Sequence, residues 1–523
     1  MTHDDGSSRG GARTDSLSTA DLLDDLGRRS IRSGAVRVGA QAVQVVLAVA
    51  GGAILARILT PGDFGVFAMA LSVIGFIMWV RDFGLPLAAT QRESLDHGQA
   101  SALFRISLAL SALMALLVLV TAPAVADFYD EPRLVGVLAV MAAATLVGGI
   151  SIVPEGVLIR GMRFAPLATV EVAAAVASLV AGLSVALLGG GYWALVAQHA
   201  ALVSMRSIGI TLSARWRPSL RVDGASVRAA RGMLRYGGQL TLTRVLQYFA
   251  LNTDRIVLGY YYGSQTLGLY DNSYRWSRYP VRQVFGPLRN VIVSALSRLQ
   301  RHDRRFRAAF ARSGVPVFTV SVPALAYMAV DTPTVILAVL GEQWTEAVPM
   351  FRFLTLSALA AAVRGSLNWA YLSEGRTRHQ LGWELVSAPI MIGAIFIGLR
   401  VGPLGVAIAH AAASWLLIPP GVWYCTRDSR LRVGDLVSAW WRPFVAASAG
   451  VVVLYLWSPA LTRAVTPGTG ELAALGHALV RGSAFLAIYA MVWLTLPGAR
   501  ERLDDLHAIV RHLKPGGPSH DEV

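Results

Sequence analysis

The chain is poor in cysteine and in charged residues. Of its 523 residues, 15% are charged and one, Cys425, is a cysteine. A single thiol excludes an internal disulfide and any metal site built from several cysteines. The sequence also has no glycine-rich loop of the GxxxxGK[ST] type, which excludes a P-loop that would hold ATP. The polar stretch 1–34 lacks the apolar core of a signal peptide, so we expect it to be a cytoplasmic tail.

Apolar sequence dominates what is present. Hydrophobic residues make up 54% of the chain and the mean hydropathy is +0.52, which is outside the usual range of soluble domains. Segments of about 20 apolar residues recur, each long enough to cross a bilayer core of about 30 Å. We therefore predict an all-α integral membrane protein with about 14 transmembrane helices. They are placed near 35–57, 65–88, 100–122, 135–158, 165–188, 191–212, 235–261, 266–296, 314–340, 348–372, 380–399, 402–425, 438–458 and 473–496.

The distribution of arginine predicts the orientation. The formal net charge is +15, and arginine-rich loops such as 215–231, 301–307 and 427–432 fall on one side of the predicted helices. By the positive-inside rule, those loops and both termini are cytoplasmic. Because topology accounts for the charge, we expect no nucleic-acid partner. The opposite loops are short, which argues against an enzyme that transfers glycans on a large outer loop.

The two halves of the chain resemble each other. Arg163 precedes Glu171 by eight residues, as Arg376 precedes Glu384. The stretch GYWALVAQHAA (191–201) aligns with GPLGVAIAHAA (402–412), and ILARILTPGDFGVF (54–67) with VLGYYYGSQTLGLY (257–270). Chance alignment of apolar segments is the alternative. An even number of helices separates the copies, so the repeats are parallel and predict two six-helix lobes around a central cleft.

The repeat predicts the division of the chain. Its parts are a cytoplasmic tail (1–34), an N-lobe (35–212), a basic cytoplasmic linker (213–234), a C-lobe (235–425), two extra helices (438–496) and a cytoplasmic tail (497–523).

Arginines inside predicted membrane helices are the main functional signal. Four of them lie on the predicted helix 266–296: Arg275, Arg278, Arg282 and Arg289. At about 100° per residue, their side chains fall within an arc of roughly 60°. A charge at mid-bilayer costs at least about 2.5–3.5 kcal/mol, so such groups are expected to face a water-filled cavity or each other. We assign to a cationic substrate cavity Arg81, Arg244, Arg255, Arg275, Arg278, Arg282, Arg289 and Arg364. Snorkelling of Arg289 to the interface and a structural Arg81–Asp82 ion pair are the alternatives.

The cavity chemistry points to a phosphate-bearing ligand. The planar guanidinium group donates two parallel hydrogen bonds, which suits phosphate. Polar and aromatic neighbours are expected to contact a polar, glycosidic part of the ligand: Tyr248, Asn252, Tyr274 and Asn368. Aromatic residues also serve as interfacial anchors, which is the alternative interpretation.

No cofactor is expected, and transport would be driven by a proton or sodium gradient or proceed by simple exchange. Intramembrane acids could carry a proton or a sodium ion. The candidates are Asp82, Glu155, Glu171, Asp254 and Glu384. The alternative for two of them is a structural role, in which Glu171 pairs with Arg163 and Glu384 with Arg376.

Six stretches carry a resemblance to a known family. They are ARILTPGDFGVFAMA (56–70), RDFGLPLAATQRE (81–93), FYDEPRL (128–134), GYWALVAQ (191–198), NTDRIVLGYYYGSQTLGLYDNSYRW (252–276) and PLRNVIVSALSRLQ (287–300). In order and spacing they resemble the polysaccharide-transport branch of the multidrug/oligosaccharidyl-lipid/polysaccharide exporter superfamily. The similarity is to its Wzx-like O-antigen and exopolysaccharide flippases, in particular the colanic-acid-exporter-like group.

The resemblance implies a function and partners. A two-lobed bundle in the bacterial inner membrane would carry polyprenyl-diphosphate-linked oligosaccharide from the cytoplasmic to the outer leaflet through a cationic cavity. Its partners would be that lipid-linked substrate, membrane lipids, and the polysaccharide polymerase and chain-length machinery. An exporter of lipid II or another lipid-linked precursor stays open, because its diphosphate chemistry is the same. A drug-cation exporter would need an acidic cavity, which the sequence does not predict.

Overall fold

A computed structural model describes residues 26–81, 97–219, 224–464 and 471–498, which are helical apart from short connections and contain no strand. The helices of the first half are α1 (Leu26–Ile58), α2 (Pro61–Arg81), α3 (His97–Tyr129), α4 (Arg133–Ile150), α5 (Ile152–Arg160), α6 (Phe164–Leu187) and α7 (Trp193–Ala214). Those of the second half are α8 (Gly224–Arg298), α9 (Asp303–Val330), α10 (Thr332–Val339), a short 3-10 helix (Glu342–Ala347), α11 (Val348–Ser373), α12 (Thr377–Leu399), α13 (Pro403–Leu416), α14 (Ile418–Thr426), α15 (Val433–Ala464) and α16 (Glu471–Thr495).

Helices of membrane-spanning length recur along the described chain, which confirms the predicted all-α membrane fold. Twelve segments are long and apolar enough to cross a bilayer. The predicted total of about fourteen is not confirmed, because the polar, arginine-bearing α8 is not among those segments. Helix α8 begins at Gly224, inside the predicted linker 213–234, where the alanine- and arginine-containing sequence favours helix.

Helix α8 consists of two arms, residues 224–262 and 264–298, separated by Gly263. Gly263 has φ 73° and ψ −175°, a conformation that glycine adopts without steric penalty. Beyond the break the second arm folds back along the first. Arg255 Nε lies 2.6 Å from Asp271 Oδ1, and the Tyr270 hydroxyl donates to Asp254 Oδ2 over 2.8 Å. The reversal brings Arg255 of the first arm to the same cavity as Arg275, Arg278 and Arg282 of the second arm.

The repeated glycines of the two halves meet where α2 crosses the second arm of α8. A Cβ placed on Gly65 would lie 1.7 Å from the Ser264 carbonyl oxygen, and one on Gly268 would lie 1.8 Å from the Pro61 carbonyl oxygen. Gly65 and Gly268 occupy equivalent positions of the repeat, and each approaches the residue four positions before the other. The contact is therefore reciprocal, as expected for two copies related by a pseudo-two-fold axis.

The core and the outer surface follow the expectation for a membrane bundle. The largest buried apolar cluster joins α2, α4, α8 and α11, with Met69, Leu138, Leu258 and Leu354 fully buried. Outward faces carry exposed aliphatic side chains, of which Val120 on α3 is 69% exposed. Aliphatic side chains on such faces suit contact with lipid tails.

Candidate functional site

The central cavity lies between α2 and the two arms of α8 and has a volume of about 420 Å³. Among its lining residues are four arginines and one carboxylate, so three positive charges remain unbalanced there. The polar residues that line it are Ser72, Tyr248, Asn252, Arg255, Asp271, Tyr274, Arg275, Arg278 and Arg282. The structure thus brings together, in one cavity, side chains from both predicted helices that carry the arginine signal.

Asp271 neutralises part of this cavity and was missed by sequence reasoning. Its carboxylate lies 2.6 Å from Arg255 Nε and 3.1 Å from an Arg275 terminal nitrogen. Asn252 completes the arrangement by accepting a hydrogen bond of 2.8 Å from Arg255. The spacing of four residues between Asp271 and Arg275 on one helix was a usable signal. Arg255 and Arg275 therefore already have an anionic partner.

Removing that partner should weaken the fold. We expect Asp271→Asn to lower the free energy of unfolding by about 2 kcal/mol, since hydrogen bonds to charged groups are lost and two partly buried arginines lose their counter-ion. The melting temperature of the purified protein in detergent measures the effect. Asp303→Asn is the matched control, because the Asp303–Arg430 pair is at the surface. Equal melting temperatures for the two variants would contradict a stabilising role of Asp271.

Arg278 and Arg282 differ from the other two arginines of the central cavity. Neither has a carboxylate within ion-pair distance in the described part of the chain. Arg278 lies 3.3 Å from His410 Nε2 and 3.5 Å from Ser357 Oγ, and its guanidinium sits 4.1 Å from the centre of the Tyr274 ring. Arg282 is exposed towards the cavity. These two guanidiniums are available to an anionic ligand.

Tyr274 positions guanidinium groups. Its ring centre is 4.2 Å from the Arg255 guanidinium and 4.1 Å from that of Arg278, within the range of cation–π contacts. The side chain is 3% exposed. Little of the ring surface is left for the sugar contact predicted from the sequence. The hydroxyl of Tyr248, another predicted contact, donates to the Ser72 carbonyl at the cavity wall.

The C-lobe cavity is larger, with a volume of about 660 Å³, and adjoins the central cavity through Leu251 and Arg278, which line both. The predicted residues that it brings together are Arg278, Arg289, Arg364, Asn368 and Glu384. Arg364 and Glu384 form no ion pair within 4.0 Å in the described part of the chain. Asn368 accepts a hydrogen bond of 2.9 Å from Gln380.

Asp254 is buried and lies behind the cavities rather than in them. It is 1% exposed, accepts from the Tyr270 hydroxyl at 2.8 Å, and lies 3.8 Å from His410 Nδ1. His410 is one of the two histidines aligned by the repeat, and it connects Asp254 with Arg278. The acid is therefore part of a polar network that supports the arginine.

A third cavity, the N-lobe cavity, has a volume of about 480 Å³ and is lined by α1, α2, α6, α7 and the second arm of α8. Arg206 approaches two of the predicted acids of this lobe, with distances of 2.7 Å to Glu155 and 3.9 Å to Glu171. Sequence reasoning missed Arg206, although a lone arginine in the apolar stretch of α7 was a signal.

The pairings suggested by the sequence are not the ones formed. Glu171 pairs with Arg206 and not with Arg163, because α7 packs against α6. Arg376 contacts Glu374 at 3.1 Å and donates to the Cys425 carbonyl at 2.9 Å. It therefore does not form the suggested ion pair with Glu384. Arg163 and Arg376 nevertheless hold equivalent places, each directly before α6 or α12, as the repeat requires.

Three predicted residues remain to be placed. Asp82 lies outside the described residues, Arg81 is the last residue of α2, and Arg244 lies in the first arm of α8.

The fold defines the class of the protein, a two-lobed helical membrane bundle. Its structure is similar to that of the lipid II flippase MurJ in an inward closed conformation, with a TM-score of 0.65. The similarity covers 88% of this chain and 99% of the MurJ chain at 12% sequence identity. At that identity the likeness concerns the fold.

The family follows from the sequence itself. The profile of the family described as polysaccharide biosynthesis protein matches residues 54–349, more than half of the chain, and the chain belongs to that family. It is 23% identical to the lipopolysaccharide biosynthesis protein WzxC of Escherichia coli (strain K12), over 68% of this chain and 72% of WzxC. It is 24% identical to the succinoglycan biosynthesis transport protein ExoT of Rhizobium meliloti (strain 1021), over 73% of this chain and 74% of ExoT.

These similarities confirm three predictions. The chain is a member of the polysaccharide-transport branch that its motifs resemble. It is a multi-pass membrane protein. It is a transporter and not an enzyme.

Proposed function

We propose that this protein moves polyprenyl-diphosphate-linked oligosaccharide from the cytoplasmic to the outer leaflet of the bacterial inner membrane, for O-antigen, capsule or exopolysaccharide assembly. The observation that carries the proposal is the pair Arg278 and Arg282, two cations that have no carboxylate partner among the described residues and that line a central cavity between the two lobes. The family and the relatives named for polysaccharide biosynthesis and transport support it.

The diphosphate supplies the missing negative charge. Its oxygens accept several hydrogen bonds, and arginine donates them in pairs with planar geometry. Arg255 and Arg275 already share Asp271, so they hold the walls in place while Arg278 and Arg282 engage the ligand. Because Arg278 lines both the central and the C-lobe cavity, the headgroup keeps a cationic contact as it passes between them.

Alternating access of the two lobes moves the headgroup across the membrane. The lobes cross at Gly65 and Gly268, where backbone lies on backbone without intervening side chains. Such a crossing permits a rocking motion about a compact pivot. The hydrocarbon chain of the ligand stays in lipid beside the lobes. In this scheme both termini are cytoplasmic, in keeping with the positive-inside rule.

Energy coupling is assigned to Glu384. Among the predicted acids in the described residues, Glu155 and Glu171 share Arg206 and Asp254 accepts from Tyr270, whereas Glu384 lines a cavity without such a partner. An unpaired intramembrane acid is suited to carry a proton or sodium ion.

Glu384→Gln should separate coupling from substrate binding. We expect transport by the variant in proteoliposomes to fall about tenfold, in keeping with the loss of one titratable group, and to stop responding to imposed proton or sodium gradients. Binding of the lipid-linked substrate should persist, because the arginines are intact. Exposed Glu342→Gln, outside the cavities, is the control. Gradient-dependent transport by Glu384→Gln at the wild-type rate would contradict the assignment.

Deletion of the gene tests the proposed function directly. The expected result is loss of one surface polysaccharide and accumulation of the corresponding polyprenyl-linked glycan on the cytoplasmic leaflet. Extraction and mass analysis of the polyprenyl lipids identify that glycan. Accumulation of lipid II with normal surface polysaccharide would favour the lipid II exporter instead, and no accumulated lipid-linked glycan would overturn the proposal.

A further inference from the structure

The N-lobe cavity has a mixed lining, in which polar side chains stand among apolar ones. Four side-chain amides from three helical segments, together with a serine and a histidine, contribute the uncharged polar part of the lining: Gln41, Gln44, Ser178, Gln198, His199 and Gln283. Two of the amides contact polar neighbours, since Gln41 donates to Gln283 over 3.3 Å and Gln44 donates to Glu171 over 3.4 Å. A cluster of amides in a membrane interior has no role in lipid contact and indicates a polar ligand.

The charge of this cavity is balanced. Its charged lining residues are Glu171 and Arg206, of opposite sign, and Arg206 also pairs with Glu155 at 2.7 Å. An anion therefore gains little here, in contrast to the central cavity with its excess of arginine. Amide groups both donate and accept hydrogen bonds, as do the hydroxyls of a sugar. The lining fits a neutral, hydroxyl-rich ligand.

The two cavities are neighbours along the same helices. Arg282 lines the central cavity and Gln283, the next residue of the second arm, lines the N-lobe cavity. On α2, likewise, Ala68 lines the central cavity and its neighbour Phe67 lines the N-lobe cavity. In a diphosphate-linked glycan the first sugar is bonded directly to the phosphate, so a sugar subsite has to begin beside the phosphate subsite. The adjacency of Arg282 and Gln283 meets that requirement.

We propose that the N-lobe cavity is the oligosaccharide subsite, with the amides of Gln44, Gln198 and Gln283 contacting sugar hydroxyls while the arginines hold the diphosphate. The inference rests on the proposed flippase function and adds to it the place where the glycan is bound and selected. Selection of a glycan then depends on the N-lobe, and retention of any polyprenyl diphosphate depends on Arg278 and Arg282.

Binding to two lipids tests the subsite. The probes are polyprenyl diphosphate without sugar and the glycan-linked polyprenyl diphosphate extracted from the deletion strain, each titrated against the purified full-length protein. We expect the wild type to bind the glycan-linked lipid at least about tenfold more tightly, as a few sugar hydrogen bonds provide. Gln44→Leu and Gln283→Leu should each reduce that ratio about fivefold and leave the affinity for the bare lipid unchanged.

The controls separate the inference from the proposed function. Gln265→Leu, at an exposed position near the start of the second arm and outside the three cavities, should keep the wild-type ratio, and melting temperatures verify that each variant is folded. Equal affinity of the wild type for both lipids, or an unchanged ratio in Gln44→Leu and Gln283→Leu, would overturn the sugar subsite alone. Failure of the wild type to bind either lipid would overturn the proposed function. Loss of a sodium-induced stabilisation in the variants, with the ratio unchanged, would assign the cavity to a cation instead.

Discussion

Cells that carry Arg278→Ala or Arg282→Ala should lose the surface polysaccharide while the protein remains in the membrane. Each guanidinium lacks a carboxylate partner in the described structure and lines the central cavity, so its removal deprives the diphosphate of charge-assisted hydrogen bonds. A hydrogen bond to a charged group contributes about 1.5–3 kcal/mol, so the double variant should bind the lipid diphosphate at least about 100-fold more weakly.

The measurement combines function with location. The deletion strain is complemented with each variant, surface polysaccharide is quantified, and membrane fractions are assayed for the protein. Arg298→Ala is the matched control, because Arg298 is an exposed arginine of the same arm outside the three cavities. A normal amount of surface polysaccharide in both single variants and in the double variant would show that Arg278 and Arg282 do not take part in transport.

A lysine substitution separates charge from geometry. Arg278→Lys keeps the positive charge but loses the planar fork that donates two parallel hydrogen bonds. We therefore expect polysaccharide levels between those of the wild type and of Arg278→Ala. The fork also contacts His410 and the Tyr274 ring, which hold it towards both cavities. Full activity of the lysine variant would mean that charge alone is needed at this position.

The sequence predicted that arginines of the second arm share one helix face because helical spacing is a local signal. Arg275, Arg278 and Arg282 share one face of a helix, and the cost of membrane burial places that face against water or another charge. The pairing of Arg275 with Asp271, four residues earlier on the same helix, is local as well, but the second partner of Asp271 is not. Asp271 pairs with Arg255 because the chain turns back at Gly263, and that contact joins residues that sequence spacing alone does not place together.

Contacts between helices limited the remaining predictions in the same way. The alternative role considered for Glu171 was a pair with nearby Arg163, but its cationic neighbour is Arg206 on the packed helix α7. Tyr274 was expected to offer its ring to a sugar, and it is buried between guanidiniums. Helical periodicity shows which residues share a face, and tertiary packing decides which charges on two faces cancel.

The second large effect is expected at the lobe crossing, from the addition of one methyl group. Gly65→Ala places a Cβ 1.7 Å from the Ser264 carbonyl oxygen, and Gly268→Ala places one 1.8 Å from that of Pro61. No side-chain rotation relieves either contact, because both partners are backbone. The helices have to move apart, and we expect a loss of about 3 kcal/mol or more in the free energy of unfolding, at the upper end of overpacking effects.

Gly393→Ala is the control that isolates packing from helix propensity. Gly393 lies inside α12 with no atom within 4 Å of the place its Cβ would take, so alanine there should raise stability by up to about 1 kcal/mol. Melting temperatures and membrane yields of the three alanine variants give the comparison. Because the crossing is reciprocal, the double variant Gly65→Ala/Gly268→Ala should be less destabilised than the sum of the singles: once the helices have separated for one methyl group, the second meets less obstruction. Wild-type stability of either single variant would show that α2 and the second arm are not in backbone contact, and the lobes would then need a different pivot.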